Sequence, residues 1–144
     1  MRVIIHRGYP GCGNNEQDIL KIHESLEQGY DAEVDIWKVN NKLYLGHDRP
    51  CTLFDLDSLP VDRTWYHCKN GSAYEFFLNE RKDCNAFVQD KDPYSVTTLG
   101  YIWCNVGVPI LPGLKCVVVL PERCTWDVDN KAFAVCTDSP ILFF

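Results

Sequence analysis

The sequence lacks the long apolar runs, the export signal and the basic clusters that mark three large classes of protein. Its longest apolar stretches, such as residues 116–120 and 141–144, fall far short of the ~20 residues that a membrane span needs. The apolar run at residues 3–5 is much shorter than the ~7 to 15 residues of a secretory signal. Lys and Arg form no stripe, and the formal charge of −6 argues against a nucleic-acid surface. We therefore expect a cytoplasmic protein without a transmembrane segment or a nucleic-acid partner.

The eight cysteines lack the spacing of a structural metal site. No Cys-x-x-Cys occurs, although closely paired cysteines supply most structural zinc ligands. Cys104, Cys116 and Cys136 lie in apolar, strand-like segments, where a thiol behaves as a small hydrophobic group. Without an export signal, a reducing compartment is the default. We expect reduced and mostly buried thiols, and disulfides are the alternative.

The chain also lacks a linker, a low-complexity tract and an internal repeat, so residues 1–144 are predicted to form one α/β domain. Strands alternate with helices that shorten along the chain, which is typical of βα units. Gly29 ends the first helix, Ser72 caps the second, and Asn40-Asn41 forms the turn of a small hairpin. The predicted strands are residues 2–6, 31–37, 42–45, 65–68, 86–88, 101–104, 115–120 and 132–136, with helices at 16–28 and 72–79 and a short helix or turn at 94–99.

Two carboxylates in the second predicted strand form the basis of a candidate metal site. Glu33 and Asp35 are two residues apart, so in a strand both point to the same side, opposite Val34 and Ile36. A parallel strand in a barrel is buried on both faces, and a buried pair of carboxylates needs a cation. The alternative is a half-exposed strand that turns its acidic residues to water.

Two histidines follow apolar stretches and are predicted to lie at strand ends. His6 follows residues 3–5 and His47 follows residues 43–46. The ends of parallel strands gather catalytic groups, and imidazole suits general acid and base catalysis because it titrates near neutral pH. The alternatives are a core histidine bonded to a backbone carbonyl for His6 and an exposed turn residue for His47. His23, on the first helix, is interpreted as a surface residue.

Three motifs together resemble the glycerophosphodiester phosphodiesterase family, a branch of the phosphatidylinositol-specific phospholipase C-like barrels that also includes spider-venom sphingomyelinase D. They are His6-Arg7-Gly8, Glu33-Val34-Asp35 and Gly46-His47-Asp48, and their order and spacing agree with the family's His-Arg-Gly, Glu-x-Asp and His-Asp. Residues 65–70 resemble the family's third strand, and residues 135–140 resemble its closing strand. The chain is also similar to compact members from phages, other viruses and environmental sequences, which would place it in the cytoplasm of a host cell.

The resemblance implies a TIM-type (β/α) barrel, and the chain length makes it a minimal or incomplete one. Eight βα units typically need about 250 residues, whereas 144 residues leave about 18 for each unit. We expect several helices to be reduced to loops, or one or two units to be absent. The implied function is metal-dependent hydrolysis of a small glycerophosphodiester. A catalytically silent relative that binds a phosphate ligand or a partner is the alternative, a larger lipid substrate is a third reading, and the oligomeric state stays open.

The resemblance also implies a role for each residue of the motifs. One histidine acts as the general acid and the other as the general base, without an assignment of which does which. Arg offers a phosphate a bidentate fork and Lys a point charge, although either cation could instead pair with the carboxylates. The implied residues are His6 and His47 for catalysis, Glu33 and Asp35 for the metal, and Arg7 and Lys69 for phosphate.

The clearest departure from the family is His67, which stands where the family carries a third acidic ligand two residues before Lys69. Carboxylates favour Mg²⁺ or Ca²⁺ as the ion. Imidazole is a borderline ligand, so His67 indicates Mn²⁺ or Zn²⁺, a phosphate contact, or weak metal binding. Asp138 is either a site residue or a turn cap, and Trp103 is either a pocket residue or core. A role for Glu16 at the start of the first helix stays open.

Overall fold

Parallel strands form the centre of the structure, a computed structural model that describes residues 1–12, 17–124 and 131–143. Seven strands pair side by side in parallel, in the order β6-β5-β2-β1-β10-β9-β8, and two α-helices accompany them in the described residues. The strands are β1 (Arg2–Ile5), β2 (Asp31–Val39), β3 (Lys42–Leu45), β4 (Thr52–Leu53), β5 (Thr64–Cys68), β6 (Asn85–Phe87), β7 (Tyr94–Val96), β8 (Ile102–Cys104), β9 (Cys116–Val119) and β10 (Ala134–Thr137), and the helices are α1 (Ile19–Glu27) and α2 (Gly71–Glu80).

Antiparallel pairs extend this row at two places. β3 folds back on the upper half of β2 through Asn40 and Asn41, whose positive φ angles of 50° and 62° fit the two-residue turn predicted there. At the other end β7 pairs with β8, Tyr94 lying opposite Cys104. The prediction of a short helix or turn at residues 94–99 was therefore wrong for residues 94–96, whose backbone pairs with the edge of β8, and right for residues 98–99, which form a turn.

An inner core shows that the sheet curls. Side chains from β1, β5, β6, β8, β9 and β10 share one buried cluster, although β6 and β8 stand at opposite ends of the parallel row. Phe87 of β6 stacks on Trp103 of β8 with 4.2 Å between ring centroids, and Trp103 also contacts Trp65. Thr98, between β7 and β8, also connects the two ends of the row, since its N–H donates to the carbonyl of Ala86 in β6 at 2.8 Å. The result is a curled α/β sheet with the form of a partial barrel.

The two helices cover the outer face of β2 and β5. Val34 and Ile36 pack outward against Ile22 of α1 and Phe77 of α2. The predicted alternation along β2 is thus confirmed, because Glu33 lies on the opposite, inner side of the strand. The expectation of reduced helices also agrees with the structure, in which short loops and single 3-10 turns replace helices in the second half of the described chain.

The helix boundaries follow their capping residues. Asp18 caps α1 by accepting the N–H of Leu20 at 2.9 Å, and Gly29 follows the helix with φ of 96°, as predicted for its end. The predicted start of this helix at Glu16 lies outside the described residues. α2 is capped by Asn70, which accepts the N–H of Ala73 at 3.1 Å, so the assignment of Ser72 as the cap was wrong.

All eight cysteines lie in the described residues and carry free thiols, and five of them are buried: Cys68, Cys84, Cys104, Cys116 and Cys136. This agrees with the expectation of reduced, mostly buried thiols. Burial raises the pKa of Cys68 to about 12, which keeps this thiol protonated and unreactive at neutral pH.

No helix in the described part of the chain is long and apolar enough to cross a membrane.

Candidate metal centre

Three potential metal ligands meet on the inner side of β2 and β5. The parallel register sets Asp35 beside His67, and the alternation of β2 brings Glu33 to the same side. One ligand atom from each of the three side chains lies within 4.8 Å of the others. Glu33 and Asp35 are only 2% and 1% exposed, and the side chain of His67 is 19% exposed. The structure thus brings together the metal ligands predicted from the sequence.

Each of these three side chains has one polar atom held by a hydrogen bond from outside the group. Glu33 Oε2 accepts the backbone N–H of Arg7 at 2.9 Å. Asp35 Oδ2 accepts the side-chain amide of Gln17 at 2.8 Å. The His67 Nε2 atom lies 3.1 Å from the carbonyl oxygen of Gln89, and because a carbonyl only accepts, Nε2 carries the proton. Partners of this kind fix the orientation of metal-binding side chains.

The remaining ligand atoms face one another. His67 Nδ1 lies 3.1 Å from Asp35 Oδ1 and 3.8 Å from Glu33 Oε1. Asp35 Oδ1 is buried and has no hydrogen-bond donor among the described residues, although it lies within ion-pair distance of His67 Nδ1. A buried carboxylate oxygen without a donor is costly. A divalent cation between the three atoms would satisfy it, so the donor set fits a metal ion.

The three side chains of the group shift one another's pKa values, because they lie close together and are largely buried. Burial, and then the charge of Asp35, raise the pKa of Glu33. Burial also acts to raise the pKa of Asp35, but contact with His67 and the charge of Lys69 outweigh it, so this pKa is lowered. For His67, burial lowers the pKa while the neighbouring carboxylates raise it, and the net direction is upward. The neighbouring carboxylates therefore favour the protonated form of His67 when no cation is bound.

Gln17 is a site residue that the sequence analysis did not identify. It is fully buried, and besides its bond to Asp35 Oδ2 it accepts the backbone N–H of Asp35 at 3.0 Å. The amide nitrogen and the amide oxygen of Gln17 thus both form hydrogen bonds with Asp35 of β2. The only available signal was the resemblance, since the family often has Glu-Asn where this chain has Glu16-Gln17, and a hydrogen bond across 18 residues leaves no local pattern.

His6 lies at the end of β1, beside the end of β10. The register pairs Ile5 with Thr137, so the next residues of the two strands, His6 and Asp138, are neighbours. His6 Nδ1 donates to Asp138 Oδ1 at 2.8 Å. Burial acts to raise the pKa of Asp138, but the bond to His6 outweighs it and the pKa is lowered. The structure therefore brings the candidate Asp138 to the candidate catalytic histidine, where its carboxylate orients the ring.

The turn after β1 requires a glycine. Arg7 has φ of 58° and Gly8 has φ of 90°, which favours glycine at the second position. A Cβ on Gly8 would lie 2.6 Å from Cγ1 of Ile22 in α1. The close approach of this turn to the helix aims the Arg7 N–H at Glu33. The His-Arg-Gly motif is thus a packing device as well as a carrier of functional groups.

Two further residues support Asp138 and were also missed. Glu122 Oε1 accepts the hydroxyl of Thr137 at 2.6 Å and the backbone N–H of Asp138 at 2.7 Å. The guanidinium of Arg123 contacts the second carboxylate oxygen of Asp138. Both come from the 3-10 turn after β9, and no sequence signal marked them, because their partners lie 15 or more residues away along the chain.

His47 is positioned by a second glycine turn. Gly46 donates its N–H to the carbonyl of Asp35 at 3.2 Å, and its own carbonyl accepts Nε1 of Trp37 at 2.6 Å. A Cβ on Gly46 would lie 2.0 Å from the carbonyl oxygen of Arg49, so no other residue fits. His47 Nδ1 bonds to Asp48 Oδ1 at 2.7 Å, and its charge is close enough to lower the pKa of Asp35. His6 and His47 thus each have a carboxylate beside Nδ1, so Nε2 is the ring atom that can exchange a proton with a ligand.

The two candidate phosphate ligands, Arg7 and Lys69, line separate depressions. Lys69 follows β5, where its N–H donates to the carbonyl of Ile36 at 2.8 Å, and it is half-buried. Arg7 lines a depression of about 490 Å³ together with His6, Arg123 and Asp138. The Nε atom of Arg7 is buried without a hydrogen-bond acceptor in the described residues. The depression therefore places the guanidinium of Arg7 beside His6, while the guanidinium of Arg123 is paired with Asp138.

Two other predicted positions lie away from this site. Trp103 is 3% exposed and belongs to the inner core. The ring of Phe87 separates it from His67, since Phe87 stacks on both rings. Of the two readings of Trp103, the structure places it in the core. His23 lies on α1 and is partly exposed, outside the group of ligands.

Comparison of the chain with protein-family profiles, with curated proteins and with solved structures found no match.

Proposed function

We propose that the protein is a metal-dependent phosphodiester hydrolase that acts on glycerophosphodiesters. One observation carries the proposal: Glu33, Asp35 and His67 form a largely buried group, each side chain held by a hydrogen bond on one polar atom, and His6 and His47 are close enough for their charges to act on Glu33 and Asp35 respectively. A cation and two carboxylate-bound imidazoles are the parts that phosphodiester cleavage needs. The same residues carry the resemblance to the glycerophosphodiester phosphodiesterases, which supports this substrate class and a minimal TIM-type barrel.

In the proposed mechanism the two histidines move the protons. One takes a proton from the attacking hydroxyl or water through Nε2, and the other gives a proton to the leaving alcohol. Asp138 and Asp48 hold the rings through Nδ1 and stabilise the imidazolium that forms on the base. Arg7 and Lys69 bind the phosphoryl oxygens. The metal, when bound, supplies positive charge to the oxygens on which negative charge grows.

A silent relative is the second candidate, and His67 is the observation that favours it. Its raised pKa favours a protonated ring beside the buried carboxylates, and a protonated His67 would supply their counter-charge without a metal ion. Such a protein would keep the depression lined by Arg7 and Arg123 as a site for a phosphate ligand. It would bind glycerol phosphate and release no product.

The deciding experiment is a turnover assay on purified protein, first stripped of metal with a chelator. Glycerophosphocholine is supplied with Mg²⁺, Ca²⁺, Mn²⁺ or Zn²⁺ in turn, and lysophosphatidylcholine and sphingomyelin test the larger lipid substrates. We expect release of glycerol 3-phosphate with at least one ion and none with the chelator. Binding of glycerol phosphate without turnover under every condition would favour the silent relative.

The affinity for a divalent ion is expected to fall as the pH is lowered. Glu33 and His67 both have raised pKa values, so each keeps its proton to a higher pH than usual and must release it when an ion binds. Affinity should thus rise with pH until the pH exceeds the raised pKa of His67, which lies above about 6.5. Calorimetry in buffers of different ionisation enthalpy measures both the affinity and the protons released. An affinity that is constant from about pH 5 to about pH 8 would contradict this assignment of ligands.

A further inference from the structure

We propose that the centre selects a first-row transition-metal dication such as Mn²⁺ or Zn²⁺ over Mg²⁺ and Ca²⁺, and that His67 is the residue that determines the choice. This inference rests on the metal site of the proposed function. Of the ions that the sequence left open, it selects Mn²⁺ or Zn²⁺, which His67 indicated, over Mg²⁺ or Ca²⁺, which the carboxylates favoured. Three features of the described residues support it.

The first feature is the fixed orientation of the His67 ring. Nε2 donates to the carbonyl of Gln89, so the neutral ring turns the lone pair of Nδ1 toward the carboxylates. The ring also stacks on Phe87 at 5.0 Å with an interplanar angle of 12°. Gln89 is itself held, because its side-chain amide lies 3.3 Å from the carbonyl of Trp103. The imidazole is thus built into the wall of the site as a nitrogen ligand.

The second feature is the limited number of oxygens on offer. Glu33 Oε2 is committed to the N–H of Arg7 and Asp35 Oδ2 to the amide of Gln17, which leaves each carboxylate one oxygen for an ion. Ca²⁺ takes six to eight oxygens and often binds a carboxylate through both. The two hydrogen bonds oppose that mode of binding. A site with two single oxygens and a nitrogen suits a smaller, softer ion.

The third feature is the mixture of donor atoms. Imidazole suits zinc, copper, iron and nickel, whereas carboxylate and water suit magnesium, calcium and manganese, so Mn²⁺ matches the two carboxylates and Zn²⁺ matches the imidazole. Mg²⁺ also dehydrates reluctantly and prefers to keep several waters. At this centre both carboxylates are almost fully buried and the ring of His67 stacks on Phe87. These surroundings therefore favour an ion that readily replaces a water ligand with an imidazole nitrogen.

The test uses Mn²⁺ as the probe, because this ion binds thiols weakly and the chain carries eight of them. Electron paramagnetic resonance measures the binding of Mn²⁺ to the metal-free protein and its displacement by Mg²⁺ or Ca²⁺. Pulsed measurements on the same sample detect the magnetic coupling of the bound ion to an imidazole nitrogen. The variants are His67→Asp, which supplies the oxygen ligand of the family, and His23→Asp as the matched control on α1.

We expect Mn²⁺ to bind the wild-type protein with nitrogen coupling and to resist displacement by Mg²⁺. Loss of an outer hydrogen-bonding partner alone costs about 10- to 100-fold in metal affinity, so His67→Asp should lower the preference for Mn²⁺ over Mg²⁺ by at least about tenfold and remove the coupling. His23→Asp should change neither quantity. Absence of nitrogen coupling in the wild-type protein would overturn the inference even if His67→Asp failed to fold.

The result is separable from the proposed function. A protein that hydrolyses glycerophosphodiesters but binds Mg²⁺ as tightly as Mn²⁺ would overturn the ion selectivity and leave the hydrolase proposal standing. A protein that binds Mn²⁺ through His67 with the expected preference and turns over no phosphodiester would do the reverse. Equal preference in the wild-type and His67→Asp proteins would remove His67 as the residue that sets the choice.

Discussion

Replacing both buried carboxylates, Glu33→Gln together with Asp35→Asn, is expected to abolish the binding of divalent ions. The double change removes both negative charges and leaves His67 as the single strong ligand among the three described here. Metal should then no longer raise the melting temperature, because only an ion that binds the folded state stabilises it. Without metal, we expect the variant to be at least as stable as the wild-type protein, since two buried like charges no longer repel.

Calorimetry and thermal unfolding with and without Mn²⁺ measure these effects. The matched control is Glu24→Gln with Asp90→Asn, which makes the same chemical changes at two exposed positions. Unchanged ion affinity in the Glu33 and Asp35 variant would place the metal elsewhere on the chain. Unchanged affinity in the control variant together with lost affinity in the test variant would assign the ion to β2.

Removing either histidine, by His6→Ala or His47→Ala, is expected to lower turnover by about 10² or more, the usual contribution of a positioned proton donor or acceptor. The double variant should lose less than the product of the two single losses, because residues that act as a unit are not additive. His23→Ala, on α1, should keep full turnover.

Binding of Mn²⁺ distinguishes a chemical loss from a structural one. Neither His6 nor His47 belongs to the group of three ligands, so both variants should still bind the ion. Full turnover by the His6 and His47 variants would show that the activity belongs to another site or to a contaminant. Loss of turnover together with loss of the ion would show instead that the substitution had disturbed the centre itself.

Local patterns were enough to predict the strands that carry the site. β2 was predicted at residues 31–37 and is found at Asp31–Val39, because apolar and acidic residues alternate along it. That period of two also placed Glu33 and Asp35 on the same side. The position of His67 beside Asp35 needed the pairing of β2 with β5, which sequence periodicity does not contain. The resemblance to a known family supplied it.

Residues that act across long stretches of chain were not predicted. Gln17 reaches Asp35 from the loop before α1, and Glu122 reaches Asp138 from the turn after β9. Neither side chain stands in a periodic segment, so nothing local indicates that it is a partner. The same limit explains β7, because Tyr94–Val96 becomes a strand only through its pairing with β8.

The pairing of β1 with β10 has a consequence for how the protein is made. It joins residues near the two ends of the described chain, and the His6 and Asp138 partners are 132 residues apart. Chains are synthesised from the N-terminus at about 5 to 20 residues per second, so His6 waits many seconds for its carboxylate. A chain that ends prematurely after Glu33 and Asp35 would still lack β10, and with it the carboxylate of Asp138 that bonds to His6. A ribosome must therefore synthesise the chain as far as Asp138 before His6, the first of the two candidate catalytic histidines, has its carboxylate partner.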